Sequence, residues 1–167
     1  MPEWLYEAGI GEARAALAED GRIVEAVIEV EDSGPRAGTV SQARIVETIV
    51  PRLRGRVTLD TGEDALLEGI PPGLSEGRSL RVRIVREAIP EPGRSKLPKA
   101  VAALDDDELR PGPDLLGRIR ATGVSVRRCH AHGPDLLEAI GWSEVLDEAE
   151  NGEIAFPGGA LRLSVTP

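Results

Sequence analysis

The stretch RAGTVSQARIVETIVPRLRGRVTLDTGEDALLEGIP, residues 36–71, decides the fold. It contains three short runs rich in Val, Ile, Leu and Thr: Thr39–Ile49, Arg52–Leu59 and Ala65–Leu67, with Asp60-Thr61-Gly62 between the last two. Apolar residues recurring at every second position mark half-buried strands, and clusters of Asp, Gly and Pro mark the turns between them. Two more runs come after Pro71-Pro72-Gly73, namely Ser79–Arg86 and Lys96–Ala102. Five short strands so closely spaced predict a small five-stranded barrel of OB type over residues 35–103.

On the N-terminal side, residues 1–34 read as a three-strand meander. Trp4–Ala8 leads through Gly9-Ile10-Gly11 to Ala13–Ala18, and Asp20-Gly21 is a strong hairpin signal before Arg22–Val30. In that third run Val24, Ala26, Ile28 and Val30 share one face and Glu25 and Glu29 the other, with Val27 interrupting the polar side. Ala13–Ala18 suits a short helix on propensity alone. Its flanking glycines and the hairpin turn favour a strand.

On the C-terminal side, residues 104–113 form an acidic, proline-bearing linker candidate, and residues 114–167 a mixed αβ segment. A short helix is expected over Asp114–Ala121 and a strand over Val124–Cys129. Pro134 suits the first turn of a helix carrying Leu136, Leu137 and Ile140, which Gly141 interrupts. Ser143 then caps a second set, Trp142, Val145, Leu146 and Ala149, ended by Gly152. The last segment reads as a hairpin turned by Pro157-Gly158-Gly159, with Leu161, Leu163 and Val165 on one face, packing on the N-terminal strands. The fold class is therefore α+β, mostly β, with no internal repeat.

Only 2% of residues are aromatic (Trp4, Tyr6, Trp142 and Phe156), so the core must be built from Leu, Val, Ile and Ala. A single cysteine, Cys129, excludes an internal disulfide and any CxxC motif. No apolar run is long enough for a membrane span, and MPEWLYEAGIGEA lacks the regions of a signal peptide. Together these predict a soluble, cytoplasmic protein without a membrane partner.

The formal net charge of −9 argues at first against nucleic acid, yet it is unevenly spread. Residues 1–34 carry two basic and nine acidic side chains, residues 35–100 twelve and eight, and residues 101–167 six and twelve. A local patch decides binding more than the total does. Within the middle third, Arg54 and Arg56 share a face with Thr58 while Leu53, Val57 and Leu59 face inward. Leu80, Val82 and Ile84 point in while Arg81 and Arg83 point out, and Arg94, Lys96 and Lys99 extend the set. Arginine suits phosphate because its planar fork donates two hydrogen bonds and is always charged. Two readings stand: a surface for RNA phosphates, or a solubilising outer face. No aromatic residue lies in this third, so any grip on single-stranded RNA is electrostatic, weak and salt-dependent.

Other constellations carry less. Cys129-His130-Ala131-His132 is too tightly spaced for a structural zinc site and reads as a loop before a helix. A Cys129–His130 nucleophile pair would need a third orienting group. Asp105-Asp106-Asp107-Glu108 reads as a solvated linker rather than a Mg²⁺ site, and Gly9-Ile10-Gly11 as a turn. No metal site is assigned.

The order of these pieces is specific. EWLYEAGIGEARAALAEDGRIVEAVIEVE (3–31), then residues 36–71, then SEGRSLRVRIVREA (75–88) resemble the N-terminal region of the bacterial ribonuclease E/G family. Glu76-Gly77-Arg78-Ser79-Leu80-Arg81-Val82 resembles a strand of the family's RNA-binding barrel, and GEIAFPGGALRLSVTP (152–167) the segment leading into its catalytic domain. The resemblance implies an RNase H-like segment over 1–34, interrupted by an RNA-binding barrel, in an endoribonuclease of RNA processing or decay. Family chemistry is Mg²⁺-assisted phosphodiester hydrolysis. Its metal-binding carboxylates are expected beyond Pro167, so no catalytic residue is assigned within this truncated stretch. The family's aromatic contacts are replaced by aliphatics around Val57, Leu66 and Leu67, and its 5′-monophosphate-sensing insertion is reduced to roughly Ala103–Cys129. The implied role is RNA binding without catalysis. The alternative is a degenerate, non-enzymatic member acting as an interaction module, self-associating through its C-terminal hairpin.

Overall fold

The computed structural model describes residues 1–31, 34–91, 93, 95–130, 132–156 and 158–162. The chain divides into two compact units, Met1–Glu31 with Leu115–Pro167, and Asp32–Asp114. The fold is mostly β.

In the first unit, β1 (Glu3–Ala8), β2 (Glu12–Glu19) and β3 (Arg22–Val30) form an antiparallel meander. Asp20 and Gly21 both take positive φ at the β2–β3 turn, which suits their residue types. β2 is central in the sheet and carries apolar groups on both faces. Ala15 packs with Trp4, Leu115 and Ile119 on one side, and Ala16 with Leu5, Leu137 and Trp142 on the other. Two coverings so close to one strand leave room only for small side chains. That explains an alanine-rich segment forming a strand against its helix propensity.

β3 corrects the expected alternation. Its register against β2 shifts between Leu17 and Ala18, so Val24 is bulged out of the pairing. The bulge puts Ile23 and Val27 on opposite faces, each in a different core cluster. Val24, Ile28 and Val30, expected to share the buried face, are 44–56% exposed.

The second unit is a closed barrel of β4 (Val40–Val50), β5 (Arg54–Leu59), β6 (Asp64–Glu68), β7 (Ser79–Arg86) and β8 (Lys99–Ala102), in the order β4-β5-β6-β8-β7. Its core is aliphatic, with Ile45, Val57, Leu67, Val82, Ile84 and Ala100 at or near zero exposure. Burying each of the larger aliphatic side chains stabilises the barrel by roughly 1.5–3 kcal/mol. Leu53, expected inside, lies instead in the β4–β5 turn and is 66% exposed. The Pro51–Leu53 turn takes it out of the strand, with Arg52 at φ 64°. Residues 96–98 do not belong to β8; Lys96 forms an isolated bridge with Ile89.

Beyond the barrel come α1 (Leu115–Ala121) and β9 (Ser125–Arg128), which pairs parallel with β1. Parallel neighbours need a long crossover, and here the whole barrel and α1 lie in that connection. The helix expected from Pro134 is only a turn ending in a 3₁₀ segment, Glu138–Ile140, because Gly141 takes φ 94° directly after it. α2 (Trp142–Asn151) is capped by Gly141 rather than Ser143, whose hydroxyl donates to Glu138. Among the described residues, β10 (Glu153–Phe156) and β11 (Gly159–Arg162) pair only with each other, and Leu161 is half exposed. Asp32, Ser33, Arg94, Pro157 and 163–167 lie outside the described residues, and with them the expected positions of Leu163 and Val165.

Gly55 marks a close approach between two strands of the barrel. A Cβ there would lie 2.9 Å from the Glu47 carbonyl oxygen and 3.1 Å from Ile70 Cδ1. Gly55→Ala should therefore destabilise the protein by about 1–3 kcal/mol, because strand β4 would have to move. An unchanged melting temperature would show that β4 yields at this point.

Candidate nucleic-acid interface

Gly55 sits between the two arginines of β5, where its inward position lets both flanking side chains stand outward on a strand drawn close to β4. Across the pair with β6, Arg54 faces Glu68, Arg56 faces Leu66 and Thr58 faces Asp64. On the other side of β6, Leu66 faces Lys99 of β8. The outer face of β5, β6 and β8 thus carries Arg54, Arg56 and Lys99 around Leu66.

Each of these cations has a carboxylate neighbour. Arg54 meets Glu68 at 3.2 Å, Arg56 meets Asp64 at 3.1 Å and Glu47 at 3.2 Å, and Lys99 meets Glu68 at 3.5 Å. Such exposed pairs are worth about 0–1 kcal/mol. Breaking any one of them therefore costs little stability. Thr58 also donates to Asp64 at 2.6 Å.

Next to Lys99 a groove of about 690 Å³ opens between β6 and the β7–β8 connection. Leu66 and Leu97 give it apolar wall, and Arg86, Lys96 and Lys99 line it with Glu91. Lys96 is ion-paired to Glu91, and two backbone hydrogen bonds, at 2.8 and 3.0 Å, join Ile89 and Lys96. Arg86 donates through Nη2 to the Leu97 carbonyl at 2.6 Å, and its Nε is buried without a hydrogen-bond partner. The chain's only two lysines both line this groove.

Arg86 and Leu97 escape a reading of the sequence for a physical reason. Strict alternation along β7 aims Arg86 inward, beside Ile84. The register against β8 shifts between Ile84 and Arg86, so Val85 is bulged and Arg86 comes opposite Lys99. No residue type in the segment signals that shift.

Arg81 and Arg83 go elsewhere. Arg81 Nη1 donates to the carbonyl oxygens of Asp105 and Asp107, and Arg83 Nη2 donates to Asp107 Oδ2 at 2.6 Å. The stretch expected to be a solvated linker is thus bound to the barrel wall. The structure therefore groups Arg54, Arg56, Lys96 and Lys99 around one face and groove, and turns Arg81 and Arg83 to an acidic segment. Arg94 lies outside the described residues.

In the other unit, Cys129 donates its backbone N–H to the Tyr6 carbonyl at 2.7 Å, at the end of the β1–β9 pairing. Burial, and next to it the Glu7 carboxylate, push its thiol above the ordinary value. A raised thiol pKa leaves little thiolate near neutrality, the opposite of what a nucleophile needs. Among the described residues no three His, Cys, Asp or Glu side chains gather as a metal site, and no helix is long and apolar enough to cross a membrane. No protein-family model matches the chain, and no curated protein matches it either.

Because the folded state holds the Cys129 proton more tightly than the unfolded chain, its contribution to stability falls as pH rises above the unfolded thiol value. Alkylation of Cys129 by iodoacetamide should accordingly be slower in folded protein than in urea-unfolded protein between pH 7 and 9. Equal rates would place the thiol in an ordinary aqueous environment.

Proposed function

We propose that the barrel binds single-stranded RNA along the β5–β6–β8 face and the adjoining groove, as the non-catalytic, RNA-holding part of a ribonuclease E/G-like endoribonuclease. The observation that carries this reading is the groove itself, with Arg86, Lys96 and Lys99 set around Leu66 beside Arg54 and Arg56. The barrel's topology supports it. Numbered within the barrel, the strands run 1-2-3-5-4 and close through 4 to 1, with strands 3 and 5 parallel. That is the arrangement expected of an OB-type Greek-key barrel, in which strands 2 and 3 and the loops after strands 1 and 4 receive oligonucleotides. Here those elements are β5, β6, the β4–β5 turn and the β7–β8 connection.

The chemistry is set by the residue types. Phosphates meet arginine forks and lysine ammonium groups, while bases rest on Leu66 and Leu97 instead of aromatic rings. A leucine offers contact area but no π face, so the site holds backbone and discriminates little between bases. No residue of this chain is assigned to hydrolysis. The Mg²⁺ of the family enzyme belongs to carboxylates expected elsewhere.

Titration of a single-stranded RNA with increasing salt tests the reading. The Arg54→Ala/Arg56→Ala/Lys96→Ala/Lys99→Ala variant should bind more weakly, and its log–log salt slope should flatten by about 0.7 for each phosphate no longer neutralised. Unchanged affinity and slope would remove these residues from the interface.

A second reading, self-association through the C-terminal hairpin, is favoured by the exposure of Ile154 and Leu161 there. Sedimentation should then show a dimer without RNA that Leu161→Lys converts to monomer. A monomer at all concentrations would discard it.

A further inference from the structure

We infer that Arg81 and Arg83 form an anion site filled in cis by the acidic segment Leu104–Glu108, which keeps RNA off the β7 wall and confines it to the groove side. The inference rests on the RNA-binding reading above and deepens it.

The segment is pinned along its length. Ala103 N–H donates to the Arg81 carbonyl at 2.9 Å, and Arg110 exchanges backbone hydrogen bonds with Val40 at 2.9 and 3.0 Å. Between those anchors, Asp107 closes a turn: its N–H donates to the Leu104 carbonyl, and its Oδ2 accepts from Leu104 N–H, both at 3.1 Å. That same Oδ2 takes the Arg83 guanidinium, while Arg81 gathers two carbonyl oxygens of the turn. Two outward guanidinium groups converging on acceptor oxygens is how arginines hold a phosphate. Here the oxygens come from the chain itself.

Charge makes the contact more than a staple. Asp105, Asp106 and Glu108 are exposed beside the turn. The strands and loops of residues 35–100 carry twelve basic and eight acidic side chains, but the compact unit Asp32–Asp114 carries thirteen and fourteen. The acidic segment therefore cancels the excess that would attract a polyanion. Its effect reaches only about a Debye length, roughly 8 Å at physiological ionic strength. It consequently acts most strongly on the wall where it lies and weakens with distance along the face. A purely structural staple needs Asp107 and the backbone but has no use for three further carboxylates facing water.

The test compares RNA binding of the full chain across a salt series for two variants. Asp105→Asn/Asp106→Asn/Glu108→Gln leaves the hydrogen bonds to Arg81 and Arg83 in place, so its fold is secure. A second variant adds Asp107→Asn. The first should bind RNA more tightly than wild type. The second should gain about tenfold at low salt, with a slope steeper by about 1.4 for two new phosphate contacts. Adding Arg81→Ala and Arg83→Ala should return the second variant to the wild-type slope. If wild type binds RNA and both neutralised variants bind it equally well, the guard is overturned and the groove reading stands. A gain that persists without the two arginines reduces the effect to net charge and also overturns it. If wild type fails to bind but the second variant binds through Arg81 and Arg83, the guard stands and the groove reading falls. No binding by any of the proteins overturns both.

Discussion

The parallel pairing of β6 with β8 is the contact on which the rest of the barrel unit depends. Leu66, Leu67 and Glu68 meet Lys99, Ala100 and Val101, and Leu66 N–H donates to the Pro98 carbonyl at 2.8 Å. This pairing closes the barrel and completes the burial of Leu67, Ile84 and Ala100. It sets Lys99 beside Leu66, so the groove exists only because the barrel is shut. It also fixes where the chain leaves β8, one residue before Ala103 bonds to Arg81. The acidic segment is thereby delivered to the wall carrying Arg81 and Arg83. A parallel pair of three residues is weak by itself. Ala100 at its centre is fully buried, and a larger side chain there would have to displace the surrounding aliphatics.

Much of this architecture is legible in the sequence because period-two patterning survives wherever the ladders are regular. β3 and β7 have the expected bounds, and Leu80, Val82 and Ile84 face inward as their spacing implies. The departures gather where a ladder gains a residue. Bulges at Val24 and Val85 exchange the faces of the residues on their two sides, putting Ile23 and Val27 on opposite faces and bringing Arg86 to the groove. A bulge costs one unpaired residue and is specified by packing across the sheet, so no local signal announces it. Leu53 and Pro134 fail differently. Both are suited to the element expected of them, but a turn at Pro51–Leu53 and the left-handed Gly141 win over propensity.

The candidate site is half legible for a similar reason. Which arginines point outward comes from alternation, but what each one meets depends on strand order. Arg54 and Arg81 look alike in sequence, each outward beside another basic residue. One lies across from Glu68 on an open face, while the other is enclosed by a segment twenty-four residues later in the chain. Counting charge by thirds of the chain puts the acidic run outside the barrel. The fold puts it on the barrel, and the electrostatic character of the unit changes sign with it.

Lysine occurs only on the groove side, where it stands beside Arg54, Arg56 and Arg86. The wall that meets the acidic turn uses two arginines, whose rigid forks hold three acceptor oxygens in fixed positions. The groove uses both of the chain's lysines, compact charges on flexible stems that pivot without losing a fixed geometry. Fixed multidentate contacts suit a permanent intramolecular partner, because the ordering of the side chains occurs once, on folding. Mobile point charges suit a backbone that passes through in many registers, because no single geometry is required. On the proposal that the groove holds RNA, leucines in place of aromatic platforms make that hold rest on charge, so it should rise or fall with ionic strength more than with base sequence.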